Sequence, residues 1–119
     1  MLSMNENLED ALQKYILLLH KEKYFDAHEV LEEAWHFLRV NNSSLQNLVK
    51  GLINAAISFE HLKRNRTNAA LKARKVMLSF ERHKCLCTDN IEYVELFSRA
   101  CHKIESLKNR HKEVFPLSV

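Results

Sequence analysis

Apolar residues recur along this chain at three- and four-residue intervals in five stretches, each bounded by a polar break. Such intervals return side chains to one side of an α-helix. The spacing predicts a first helix from about Leu8 to Lys21, with Leu8, Ala11, Leu12, Tyr15, Ile16 and Leu19 on one face. A second runs from about Phe25 to Val40, stacking Ala27, Leu31, Ala34 and Leu38. Asn41, Asn42, Ser43 and Ser44 interrupt the pattern and place a serine to cap the next helix.

The third stretch, about Leu45 to Arg64, is apolar around most of its circumference and keeps only Lys50, Asn54, Ser58 and His61 as a polar stripe. A helix of that kind belongs in the middle of a bundle. The fourth, about Thr67 to Lys84, turns Ala69, Ala73, Val76, Met77 and Phe80 inward. The fifth is expected to start near Asp89, which precedes Glu92 by three residues in the manner of a capping box. It presents Tyr93, Phe97, Cys101, Ile104 and Leu107 and ends before Pro116. Short connections make successive helices neighbours of opposite direction. Lys23-Tyr-Phe-Asp-Ala27 echoes Asn65-Arg-Thr-Asn-Ala69 at the start of an even-numbered helix. The expected fold is all-α: about five antiparallel helices, forming two tetratricopeptide-like hairpins and a long closing helix.

Composition sharpens this picture. One Gly and one Pro among 119 residues leave little for the tight turns of sheet proteins. The length suits one domain spanning residues 1–119, large enough to fold without disulfides. The apolar runs Tyr15–Leu19 and Gly51–Phe59 are too short to span a bilayer. Glu6, Glu9 and Asp10 give the N-terminus the wrong sign for a signal peptide. Three cysteines suit a reducing compartment, so a cytoplasmic location is expected.

The chemistry-bearing residues gather on the second helix. His28 and Glu32 are four apart and Trp35 is seven from His28, so they share one side of it, beside the core stripe. Glu29, Glu33 and His36 are expected further out. Asn54, Ser58 and His61 on the third helix need partners in an otherwise apolar helix, and the economical arrangement has the two polar lines facing each other. A His and a Glu one turn apart reach a single divalent ion, with His61 as third ligand and Asn54 behind it. The same residues would equally form a polar network in which Glu32 accepts hydrogen bonds from His28, His61 or the Trp35 indole. Metal-free acid–base chemistry is a further alternative.

The segment His28-x-x-x-Glu32-x-x-Trp35, preceded by Phe25 and Ala27, resembles the H-x-x-x-E-x-x-W/Y motif of the bacterial and archaeal domain-of-unknown-function 309 family. Gly51-Leu-Ile-Asn-Ala55-Ala56, His61-Leu-Lys-Arg64 and Ala69-Ala70-Leu71 extend the likeness over roughly Leu8 to Met77. The resemblance implies a domain without an established activity, for which metal binding through the His and Glu has been suggested. Asn54 stands where the family often has Gln, and the turns at Lys21-Glu22-Lys23 and Asn65-Arg66 lack a frequent Gly.

Two other features invite a function. His83, Cys85, Cys87, Cys101 and His102 suggest zinc, but a C-x-C pair is not a zinc-knuckle spacing, and Cys101 falls on an apolar face. Charge is also uneven. Met1 to Val40 holds eight acids against four basic residues, whereas Lys63 to Lys84 holds eight basic residues and one acid, Glu81. No Gly-rich phosphate loop or interleaved aromatic accompanies the basic stretch, so nucleic acid is not an expected partner and a solvated face is the simpler account.

Three functional classes remain open. One is a helical domain with a divalent-metal or polar site at His28, Glu32 and His61, where Trp35 forms an apolar wall and Asn54, Glu29 and Ser58 support. The second is a helical-hairpin binding module for a protein or phosphate-bearing ligand, a second copy of the chain included. The third is a small metal-dependent hydrolase with Glu29 or Glu32 as base. A divalent metal ion is the one cofactor the residues point to.

Overall fold

The computed structural model describes residues 4–116, with side chains from Asn7 onward. It contains five α-helices: α1 (Met4–His20), α2 (Tyr24–Val40), α3 (Gln46–Arg64), α4 (Ala69–His83) and α5 (Val94–Arg110), with a single 3₁₀ turn at Lys84–Leu86. No strand occurs among the described residues. None of these helices is long and apolar enough to cross a membrane.

The turns explain how so few glycines suffice. At the end of α1 the Lys23 amide bonds back to the Leu18 carbonyl at 2.9 Å and the Glu22 amide to Leu19 at 3.1 Å, with Glu22 left-handed at φ 58°. The end of α2 repeats this closure: Ser43 N–H to Leu38 at 2.8 Å, Asn42 N–H to Arg39 at 3.1 Å, and Asn42 at φ 53°. This is the Schellman closure of a helix, whose left-handed position usually holds Gly. Ser43 also precedes α3, its Oγ accepting the Leu45 amide at 3.1 Å. That bond closes the turn before the helix; Leu45 occupies the N-cap position without a side-chain cap hydrogen bond, so the serine cap expected from the polar break is not formed.

The start of α5 differs from its sequence signal. Asp89 and Glu92 lie in turns, and the residue before the helix is Tyr93 at φ 55°, with no side-chain cap hydrogen bond. A left-handed residue cannot sit inside a right-handed helix. Ile91 and Tyr93, both packed on the core, draw this segment into a loop that local spacing alone does not disclose.

One cluster of buried apolar side chains draws on every helix, from Leu8 and Leu12 through Leu31, Leu52 and Phe80 to Phe97 and Ile104, and ends on Val114 and Phe115. Phe59 sits between Tyr24 and Phe115, ring centroids 5.6 and 5.9 Å away. The Tyr15 hydroxyl donates to the Leu52 carbonyl at 2.6 Å, tying α1 to α3 through the core. The tightest approach is between α3 and α4. Gly51 meets the Phe80 backbone, and Ser58 Oγ donates to the Ala73 carbonyl at 2.7 Å. Residue numbers fall along α4 as they rise along α3.

Candidate functional site

At about 100° per residue, the centre of the Ala27, Leu31, Ala34 and Leu38 stripe lies roughly 70° from Trp35, 90° from His28 and 130° from Glu32. The burial matches that order. The four stripe residues are buried, His28 and Trp35 are half-buried, and Glu32 is exposed. Glu32 is thus as far from the core on one flank as Glu33 is on the other. The expectation that Glu32 lies inward of Glu33 is corrected by the phase of the helix.

His28 Nδ1 lies 2.5 Å from the Phe25 carbonyl, and its ring meets the Phe25 ring edge-on at 4.8 Å between centroids. In neutral His28, donation by Nδ1 to that carbonyl leaves Nε2 as the free acceptor. Glu32 has no hydrogen-bond or ion-pair partner among the described residues, and neither do Asp26, Glu29 or Glu33. All four acids are exposed on α2.

The polar stripe of α3 divides between two neighbours. Ser58 is fully buried and turned to α4, where Ala73 accepts its proton, so it is a clamp between α3 and α4 and not a support for the His28 site. A hydroxyl within an apolar helix takes the nearest acceptor, and here that is a carbonyl of α4. Lys50 turns the other way, its Nζ 4.5 Å from the centre of the Trp35 ring, while the Arg39 guanidinium lies 5.5 Å from it. Trp35 is therefore a platform for two cations as well as an apolar wall. At the far end of the same seam, Arg64 lies 5.6 Å from the Phe25 ring and pairs with Glu60 at 2.5 Å. Asn54 and His61 are half-buried along this seam, without a hydrogen-bond partner among the described residues. Sequence reasoning missed these cation–aromatic stacks, although Trp35 and Arg39 stand at helical i,i+4 spacing.

His28 and Glu32 have the spacing of a two-donor ligand pair. Yet among the described residues no three His, Cys, Asp or Glu side chains gather as a metal ion requires. Lys50 and Arg39, both stacked on the Trp35 ring, bring cationic charge to the seam, which opposes a divalent cation. As arranged, His28, Glu32 and His61 do not fit a three-ligand centre.

The cysteines are no better gathered. Cys85 is exposed and Cys87 Sγ lies 3.6 Å from Ser98 Oγ. Burial, together with the neighbouring Cys87, pushes the Cys101 thiol up to about 12, opposite to the lowered value of a metal-ready thiolate. On α4 the basic residues Lys72, Arg74, Lys75 and Arg82 are exposed and unpaired.

These features define an all-α protein whose second helix displays exposed acids that make no ion pair among the described residues. The model of the family described as "Domain of unknown function (DUF309)" matches residues 12–73, and the chain belongs to that family. The match spans α2 and α3 and the α3–α4 contact through Ala73. No curated protein and no solved structure matches the chain.

Proposed function

We propose that this chain is a non-catalytic docking module, and that the outer face of α2 receives a basic segment of a protein partner. One observation carries the reading: four exposed acids, Asp26, Glu29, Glu32 and Glu33, stand on one helix without a single intramolecular ion pair among the described residues. Folding gives no account of Glu32, although the family motif includes it. Beside the acids, Phe25 and Phe37 are each 46 % exposed. Phe37 borders a shallow cleft of about 180 Å³ shared with α1, where Ala11, Val30 and Ala34 lie next to Glu33 and to the Asp10–Lys14 ion pair at 3.0 Å. An apolar notch beside an unpaired carboxylate such as Glu33 suits Arg and Lys side chains, whose stems are apolar and whose heads are charged.

The test is fluorescence anisotropy with a labelled Arg- and Leu-containing peptide. Binding should weaken with salt and fall about tenfold or more in Glu29→Lys/Glu32→Lys, whose melting curve stays that of the wild type. Equal binding by the variant would refute the proposal. Sedimentation of the chain alone reports whether a second copy is the partner.

A second reading rests on the His28 geometry. The Nδ1 contact with Phe25 fixes the ring as a backbone carbonyl fixes a metal-binding His, and Glu32 lies one turn on. If added zinc raises the melting temperature, a chelator reverses the rise and His28→Ala abolishes it, metal binding replaces docking as the function of this face.

A further inference from the structure

A groove of about 490 Å³ lies between α4 and α5, on a different face from the acids of α2. Its apolar lining comes from Met77, Leu78, Val114, Phe115 and Pro116. Leu78 is 57 % exposed and Leu71, seven residues earlier on the same side of α4, is 44 % exposed. Seven residues is two helical turns, so the two leucines share one side of α4, with Leu78 at the groove itself. Charge on this helix is one-sided: Lys72, Arg74, Lys75 and Arg82 stand unpaired at the surface, and α4 carries a single acid, Glu81. Glu81 is already engaged, by Lys84 at 2.7 Å and by Lys108, while Lys84 and Lys108 also reach Glu105 at 3.4 and 3.3 Å. Burial of Glu81 raises its carboxyl, but hydrogen bonds from Lys108 and Lys84 outweigh this and hold it below the usual range. The groove floor is thus internally neutralised, and the surplus positive charge stands on α4, with Arg74 lining the groove and Lys75 and Arg82 exposed on the same helix as Leu78.

We propose that this groove docks an acidic amphipathic helix of a protein partner, its apolar stripe against Leu78, Met77 and Val114 and its carboxylates toward Arg74, Lys75 and Arg82. An apolar stripe laid in a groove with charges along the edge is how amphipathic helices are bound. Nucleic acid fits less well. The rim offers cations but no exposed aromatic for a base to stack on, and the exposed leucines would contribute nothing to a phosphate backbone.

The test uses three fluorescein-labelled helical peptides of equal length. One has Leu at i, i+3, i+4 and i+7 with Glu elsewhere; one replaces those Leu by Ser; one replaces Glu by Lys. The first should bind, the second at least about tenfold more weakly, and the third not at all at this groove. Leu78→Asp and Arg74→Glu are surface changes that keep the fold, checked by circular dichroism, and each should weaken the first peptide by about tenfold. Glu32→Lys should leave this binding unchanged, which separates this groove from the α2 face. The proposal is overturned if the Ser peptide binds as well as the Leu peptide, which would mark a general polyanion surface of the kind nucleic acid uses. It is overturned equally if Leu78→Asp or Arg74→Glu binds like the wild type, or if the acidic Leu peptide does not bind.

Discussion

Replacing Gly51 by Ala sets two opposing effects against each other, and the structure decides between them. In a free helix the change is favourable by about 0.8–1.0 kcal/mol, since Gly is the poorest interior residue after Pro. Here the added Cβ would lie 3.2 Å from Phe80 Cα and 3.4 Å from the Ser79 carbonyl oxygen, both main-chain atoms. Ordinary carbon contacts are about 3.5–4.0 Å, so α4 has to retreat by a few tenths of an ångström. It is poorly placed to do so. Ala73, Met77 and Phe80 are buried against the core, and the Ser58–Ala73 hydrogen bond fixes α4 at 2.7 Å. Overpacking of such an interface costs about 1–3 kcal/mol. The expected balance is a destabilisation of about 0–2 kcal/mol for Gly51→Ala. Gly51→Val, with two more carbons directed at the same backbone, should be worse by a further 1 kcal/mol or more, on the order of the same overpacking penalty. Urea unfolding followed by far-UV circular dichroism measures both through the midpoint at constant slope. A Gly51→Ala protein stabilised by the full helix-propensity gain would refute the close approach of α3 and α4.

Two further outcomes concern the turns and the core. Glu22 occupies a left-handed position that costs a non-glycine residue about 1–2 kcal/mol; after the added chain entropy of Gly, Glu22→Gly should raise stability by about 0.5–1 kcal/mol, and a lower urea midpoint would contradict this. Cys101 keeps its proton in the folded chain up to about 12, against an ordinary value of 9.0. The unfolded chain therefore releases that proton first as pH rises, so its contribution is whole below about 9 and is lost toward 12. The wild type should lose stability across that window more steeply than Cys101→Ala, by at most about 1.4 kcal/mol per pH unit. Equal slopes would show that the thiol is not shielded.

The helices were legible because burial imposes a 3.6-residue rhythm, and Leu12, Leu31, Leu52, Phe80 and Ile104 all fall where that rhythm places them. Local pattern could not carry direction. Ser58 belongs to a polar stripe whichever neighbour it faces, and only the packing of α4 assigns it to Ala73. Glu32 is one turn from His28, yet its extra 40° or so of rotation takes it out of the seam and into solvent. The Asp89–Glu92 signal failed for a related reason: contacts of Ile91 and Tyr93 with a distant part of the chain overrode a local cap. The α4–α5 groove was invisible in the sequence, since it joins Leu78 to Val114 and Phe115 across more than thirty residues.

Whether the acids of α2 exist to meet a partner is read residue by residue in an NMR titration of the isotope-labelled chain. With the Arg- and Leu-containing peptide, amide shifts should concentrate on α2 from Phe25 to Arg39 and on its seam with α3, and should weaken together in high salt. Zinc added to the free protein should leave the His28, Glu32 and His61 signals in place. Peptide shifts confined to other helices, or zinc shifts focused on those three residues, would contradict docking at this face.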